Sequence, residues 1–382
     1  VPLRRLAFLL LVLFAFLTPF IAPAYIAAGL LLAVWIASIA REQRLPESLR
    51  SPFCFVLLVL ALLTILSAIF SRDPAASARH LPGLSLFLLV PIAMDLSDTV
   101  ARARTIFLAL ASAGTAQALY GIWQFLHGGN NLESRIRGTT SHPMTFSGIT
   151  MLAACLLLGY ALEGRGRWRA LGLLCVLPFV AILLTYTRGA YVGVVAALLV
   201  YAAVARPRVL LWVAPVLVVV YLVAPAPIRD RIRSTTDLSD WSNHDRIAMA
   251  RAATRMVRDS PVFGLGPQMV KPYYPLYRDP DAPRWSVPHL HNNVTQIAAS
   301  NGLFALAAYL VLVGLFLARA GALARRGDGP DRAALWAGAL LAGSALTVAG
   351  LFECNFSDTE VEMGTLLVFA MPFSSASKSG RD

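Results

Sequence analysis

Charge is what this chain has least of. Only 14% of its 382 residues are charged, 57% are hydrophobic, and the mean hydropathy is +0.65. A water-soluble domain needs a charged surface to cover its core, so that class is excluded. Cysteine is scarce too: Cys54, Cys155, Cys175 and Cys354 make no disulfide framework and no metal-ligand spacing. There is no Walker loop and no GxGxxG after a strand, which excludes a pump driven by ATP on this chain. Energy must come from a substrate or a gradient. The formal net charge of +12 raises the question of nucleic acid, but the basic residues lie in short clusters between apolar runs rather than on one polar domain. Membrane topology and anionic lipid account for them, and no nucleic-acid partner is expected.

What is present is a series of apolar runs near the roughly 20 residues that cross a hydrocarbon core. They fall at 6–21, 24–40, 52–70, 81–96, 105–126, 144–162, 169–185, 189–204, 209–224, 293–318, 333–351 and 359–374. The expectation is an all-α, polytopic transmembrane helical bundle of about twelve spans. Pro19 and Pro23 mark either a tight turn between the first two runs or a kink in one long segment. A signal peptide is disfavoured there, because the apolar run continues to Ala40. Residues 1–224 then hold spans one to nine and 225–292 a large, partly helical loop. Residues 293–382 hold the last three spans and a tail.

Orientation follows from arginine, since positive charge in short loops is retained in the cytoplasm. With the N-terminus inside, the inner connections carry Arg41, Arg44 and Arg50; Arg102 and Arg104; Arg165, Arg167 and Arg169; Arg206 and Arg208; and Arg319, Arg325, Arg326 and Arg332. Arg4, Arg5, Lys378 and Arg381 join them. The short outer connections hold only Arg72, Arg79, Arg135, Arg137 and Arg188. The long loop is therefore expected in the periplasm of an inner-membrane protein, with both termini inside.

Chemistry must be assembled at the mouth of that loop, the one long polar interval. Arg188 stands in the short outer turn Thr185-Tyr186-Thr187-Arg188-Gly189, where it either snorkels to lipid headgroups or faces a ligand. Arg135-Ile136-Arg137-Gly138 precedes His142-Pro143 in another outer connection, which is either an ordinary solvated loop or part of a site. From His244 to Arg258 the periodicity predicts an amphipathic helix. At 100° per residue Arg251, Arg255 and Arg258 share the wet face, and Arg246 lies in the middle of the apolar one. A buried guanidinium needs an anionic partner. That partner is either a structural carboxylate (Asp237, Asp240, Glu353 or Asp358) or a phosphate, which the planar fork meets through two parallel hydrogen bonds. His289 and His291 follow, directly before span ten. Histidine is the side chain best able to take a proton near neutral pH. Metal is disfavoured here because no third ligand sits at a useful spacing. The acidic group Glu353, Asp358, Glu360 and Glu362 reads as structural.

At these residues the chain resembles the O-antigen ligase and polymerase superfamily of bacterial envelope glycosyltransferases. The matching pieces are Arg137-Gly138-Thr139 with His142-Pro143; Thr187-Arg188-Gly189; Arg246 with Asp259-Ser260-Pro261 and Gly264-Leu265-Gly266; and His291-Asn292 leading into Gln296 and Gly302. One departure stands out: the family's glutamate before that last glycine is replaced by Ser300 or Asn301. The resemblance implies transfer of a glycan from an undecaprenyl-diphosphate-linked donor, in the ligase branch to the lipid A core of lipopolysaccharide. It implies Arg188 and Arg246 on the diphosphate and His291 as base or acceptor-orienting group. Arg137, His289 and Asn292 become substrate-binding residues, with no cofactor and no metal. An O-antigen polymerase with the same donor remains open, as does a lipid-linked glycan flippase or secondary transporter.

Overall fold

The computed structural model describes residues 2–128, 134–237 and 239–377. Among them the chain is helical and contains no strand. Helices α1 (Pro2–Leu17) and α2 (Ile21–Glu42) pack as a hairpin, so Pro19 belongs to a tight turn. Pro23 falls in the first turn of α2, where its missing N–H costs nothing. Helix α3 (Pro52–Ile69) is capped by the Ser51 hydroxyl, which accepts from the Cys54 N–H at 3.1 Å. After the short α4 (Pro74–Ala78), the expected fourth span is a 3-10 stretch over Leu81–Leu88 followed by α5 (Leu89–Leu96). Pro82 and Gly83 at its start disfavour a regular α-helix.

The chain continues through α6 (Val100–Gly128), α7 (Pro143–Glu163), α8 (Arg167–Gly172), α9 (Val176–Leu184), α10 (Arg188–Val204) and α11 (Leu210–Val223). The polar interval holds α12 (Ala226–Arg233), α13 (Trp241–Asp259) and α14 (Val270–Tyr277). Last come α15 (Asn293–Asn301), α16 (Leu303–Arg326), α17 (Pro330–Ala349) and α18 (Thr359–Ala370). Eight helical stretches among the described residues are long and apolar enough to cross a membrane, and α10 and α11 are shorter apolar helices. This is a multi-pass membrane protein. Helices α7 and α17 form the centre of the bundle and touch backbone to backbone. A Cβ added at Gly159 would lie 2.3 Å from the Gly338 nitrogen, so only glycine permits the approach.

The connections sort onto two faces. On one, Arg4 pairs with Glu42 and Asp95, Arg104 with Asp331 at 2.7 Å, and Arg206 with Glu163 at 2.7 Å. On the other, Arg72 pairs with Asp259 and donates to the Tyr277 hydroxyl, and Arg188 meets Asp240. Lys378 and Arg381 lie outside the described residues.

The expected tenth span, 293–318, is corrected. Gly302 adopts φ 87°, ending α15 after nine residues and starting α16 in a new direction. A Cβ at Gly302 would lie 2.0 Å from the Val262 carbonyl oxygen, so the break is also where the loop's returning strand of chain is seated. The Leu265 and Gly266 N–H groups donate to the carbonyls of Ala299 and Ser300, both at 2.8 Å, and Leu303 N–H donates to Pro261 at 2.8 Å. The polar interval has its own core, in which Met249, Ala252 and Met256 of α13 pack with Leu265, Tyr274, Leu290 and Ala299.

Candidate active site

The site is built at the junction of α13, α15 and the turn after α17. Asn292 caps α15: its side-chain oxygen accepts from the Val294 and Thr295 N–H groups at 2.8 and 3.1 Å, and its amide donates to the Leu351 carbonyl at 2.9 Å. That last bond ties the loop to the turn carrying Glu353, so Asn292 is occupied by the scaffold. His291 precedes the cap at φ 49°, a left-handed conformation that costs a non-glycine residue energy and persists only where surroundings enforce it. It does not lie directly before a membrane span, as the sequence suggested, but in a strained bend before a separate short helix.

The bend aims the His291 ring at Glu353, with Nδ1 2.9 Å from one carboxylate oxygen. An ionised carboxylate only accepts, so Nδ1 carries the proton and Nε2 is left as an acceptor with no protein partner among the described residues. His289 differs. Its Nδ1 accepts from the His291 backbone N–H at 3.3 Å, and its Nε2 lies 3.5 Å from the other Glu353 oxygen, so both ring nitrogens are used. Burial first, then the charge of His291, push His289 down to about 4, with Glu353 opposing. Burial pushes the Glu353 carboxyl up, but the His291 hydrogen bond and the charges of both histidines outweigh it and hold it at about 2. Glu353 is thus drawn into the site rather than merely structural. It also supplies what the spacing argument lacked: His289, His291 and Glu353 offer three ligand atoms within 4.8 Å of one another, enough in number and distance to hold a metal ion.

Arginines gather beside this group. Arg246 lies half-buried on the rim of the buried stripe of α13, which runs through Asp245, Ala248, Met249, Ala252 and Met256, while Ala250 is exposed. The expectation of a central position is corrected, because the Arg284 pairing of Asp245 at 3.1 Å lets that carboxylate share the buried stripe. Among the described residues no carboxylate lies within ion-pair distance of Arg246, whose one side-chain bond is to the Ser242 hydroxyl at 3.5 Å. Burial lowers its affinity for its proton and the field of Glu353 restores part of it. Arg135 is likewise half-buried and has no ion pair among the described residues; burial lowers its affinity for its proton and Tyr191 and Glu353 raise it. Its neighbour Arg137 is exposed, and that segment is fastened through backbone bonds to Gln124. Burial and the repulsion of Arg188, Arg135 and Arg246 push Arg231 down to about 10, still charged at neutral pH.

Arg188 is placed differently. It is only 4% exposed, and its guanidinium donates to Asp240 at 2.9 Å, the Ser234 carbonyl at 2.5 Å, Asn243 at 2.8 Å and Ser242 at 3.1 Å. These bonds fasten the N-terminus of α13, which Asp240 caps, so Arg188 positions the helix that carries Arg246. His142 caps α7 through Nδ1 and lies in the fields of Glu353, Arg135 and His291. Sequence reasoning missed Arg135, Arg231 and Glu353 as site residues. Two residues apart, Arg135 and Arg137 would share a face of a regular extended segment, so nothing local says that one is half-buried and the other exposed.

Among the described residues Arg246 and Arg135 thus stand without an ion pair beside a histidine held by a carboxylate, while Arg231 meets Asp240 at 3.8 Å. Residues 173–310 match the family model described as O-antigen ligase, which supports membership of the O-antigen ligase and polymerase family and a glycosyltransferase-like membrane enzyme. The matched segment contains Arg188, Arg246, His289 and His291; Arg135 and Glu353 lie outside it. No curated protein matches the chain.

Proposed function

We propose that this protein is an O-antigen ligase of the bacterial inner membrane, passing a glycan from undecaprenyl diphosphate to the lipid A core at its periplasmic face. The observation that carries the reading is the half-buried, unpaired Arg246 beside the His291–Glu353 pair. A diphosphate leaving group needs cationic donors where charge develops, and Arg246 with Arg135 and Arg231 supplies them. The acceptor hydroxyl gives its proton to His291 Nε2 as its oxygen bonds to the sugar's anomeric carbon. The bond from that carbon to the carrier's phosphate oxygen breaks, and the diphosphate leaves with the electron pair. Glu353 holds the tautomer and stabilises the imidazolium that forms. Arg188 acts through α13, and His289, Asn292 and Arg137 support the loops around the site. No step in this scheme requires a nucleotide or a divalent ion.

An O-antigen polymerase uses the same donor and is the nearest rival. A transporter would place charges near the bilayer midplane, whereas the ion pairs here collect toward two faces. Lipopolysaccharide from a deletion strain separates the enzymes. Uncapped core with accumulated polymeric carrier-linked glycan supports the ligase, and core capped with a single repeat indicates the polymerase.

A further inference from the structure

A second cavity opens on the far side of α15 from its cap. It has a volume of about 350 Å³ and lies between α3, the 3-10 stretch Leu81–Leu88, α15 and the start of α18. Its lining combines two aromatic rings, Phe87 and Phe356, whose centroids are 6.4 Å apart, with Gln296, Ser300 and Glu362. Glu362 has no hydrogen-bond or ion-pair partner among the described residues, so its carboxyl faces the cavity with its bonding capacity unspent. A half-buried carboxyl without a partner is costly unless a ligand or water meets it. Arg79 and His80 line the exposed side.

Aromatic faces that cover C–H surfaces, together with a carboxyl, an amide and hydroxyls, make a lining suited to a hydroxyl-rich sugar. The arginine group that suits a diphosphate belongs to α12, α13 and the segment before α7, whereas this cavity has a single arginine, Arg79, on its exposed side. Gln296 joins the cavity to the reacting centre. Its oxygen accepts from the Leu290 N–H at 2.9 Å, one residue before His291, while its nitrogen donates to the Ser300 hydroxyl at 3.0 Å. Gln296 stands four residues past the Asn292 cap, about 6 Å along the helix axis. We propose that this cavity seats the acceptor sugar, presenting its hydroxyl toward His291 from the side opposite the arginines. The proposal rests on the transfer reading above and adds where the second substrate binds.

Gly83 provides the test, because it lines the cavity and a side chain added there meets nothing within 4 Å. All four native cysteines are buried. Gly83→Cys in detergent-solubilised full-length protein gives one accessible thiol, and deacylated lipid A core should slow its maleimide labelling while inorganic pyrophosphate should not. Gly83→Trp, which fills the space, should raise the acceptor KM about tenfold or more and leave the donor KM within about twofold. Protection by pyrophosphate instead of sugar, or an unchanged acceptor KM with normal wild-type transfer, overturns the cavity assignment and leaves the ligase reading intact. Sugar protection in a protein that transfers nothing supports the cavity and sinks the ligase reading.

Discussion

Replacing Glu353 by glutamine keeps the shape of the site and removes one charge, which isolates what that charge does. The glutamine oxygen can still accept from His291 Nδ1, so the ring keeps its tautomer. Held at about 2 against an ordinary 4.5, the wild-type carboxylate is favoured by roughly 3 kcal/mol net of burial. His291 is the first contributor to that stabilisation, and the charge it answers exists in full only when the ring has taken the acceptor's proton. If most of that energy is expressed in the transition state, glutamine slows turnover by about 10². Single-turnover transfer at saturating substrates measures this, alongside donor binding, which should change by no more than a few-fold. The same substitution tests the electrostatics independently of catalysis. The group titrates near 4.5 when unfolded and at about 2 when folded, so its stabilisation is complete above pH 4.5 and is lost as pH falls through 2. The glutamine variant should lack that acid-side loss in thermal unfolding. Wild-type turnover in Glu353→Gln, with the acid-side loss gone, would refute the catalytic role and leave Glu353 a purely structural anion.

The remaining expectations concern orientation, arginines, metal and histidines. In intact spheroplasts an impermeant thiol reagent should modify Ser239→Cys and spare Asp328→Cys, both exposed ahead of or behind the proposed barrier; the opposite pattern would turn the protein over. Arg246→Ala should lose most transfer while the protein folds normally, and Arg246→Lys should recover little because a point charge lacks the planar fork. Arg188→Ala should instead lose stability, by about 1.5–3 kcal/mol, since Asp240 loses its closer cation and keeps only Arg231 at 3.8 Å; an unaltered melting temperature would return Arg188 to the list of ligand-binding groups. Transfer should survive a chelator, and a strict divalent-ion requirement would make His289, His291 and Glu353 a metal centre. His291→Ala should lower turnover about 10²–10⁴-fold with donor binding retained. His289, at about 4, stays neutral above roughly pH 5, so His289→Ala should leave the pH dependence of transfer between about pH 5 and 8 unchanged.

The class of fold was legible because span length and arginine asymmetry are properties of consecutive residues. The amphipathic helix was legible for the same reason, since periodicity announced His244 to Arg258 of α13, though not the Asp240 cap at its start. What the sequence could not display was pairing across distance. Arg188 finds Asp240 52 residues away, and His291 finds Glu353 62 residues away across three helices, so neither spacing carries a local signal. Those two contacts alter the roles, drawing Arg188 into the scaffold and Glu353 into the site. The position of Arg246 was nearly readable, but a wheel assumes the apolar residues define the buried stripe, and a paired Asp245 shifts it. The break at Gly302 carried a cue, Asn301-Gly302 inside an apolar run, which a search for uninterrupted spans overlooks.

The seating of the loop on that break has a practical side. Segment 225–292 looks like a cassette that could be exchanged between relatives to change which substrates are joined. Its returning stretch, however, bonds to Ala299, Ser300 and Leu303, and the Ser71 hydroxyl donates to Leu265 while Ser67 holds Ser300. A graft cut at the loop's ends would arrive without its socket. Working chimaeras should carry residues 67–77 and 293–303 along with the loop, making two discontinuous pieces of chain, 67–77 and 225–303, the smallest transferable unit.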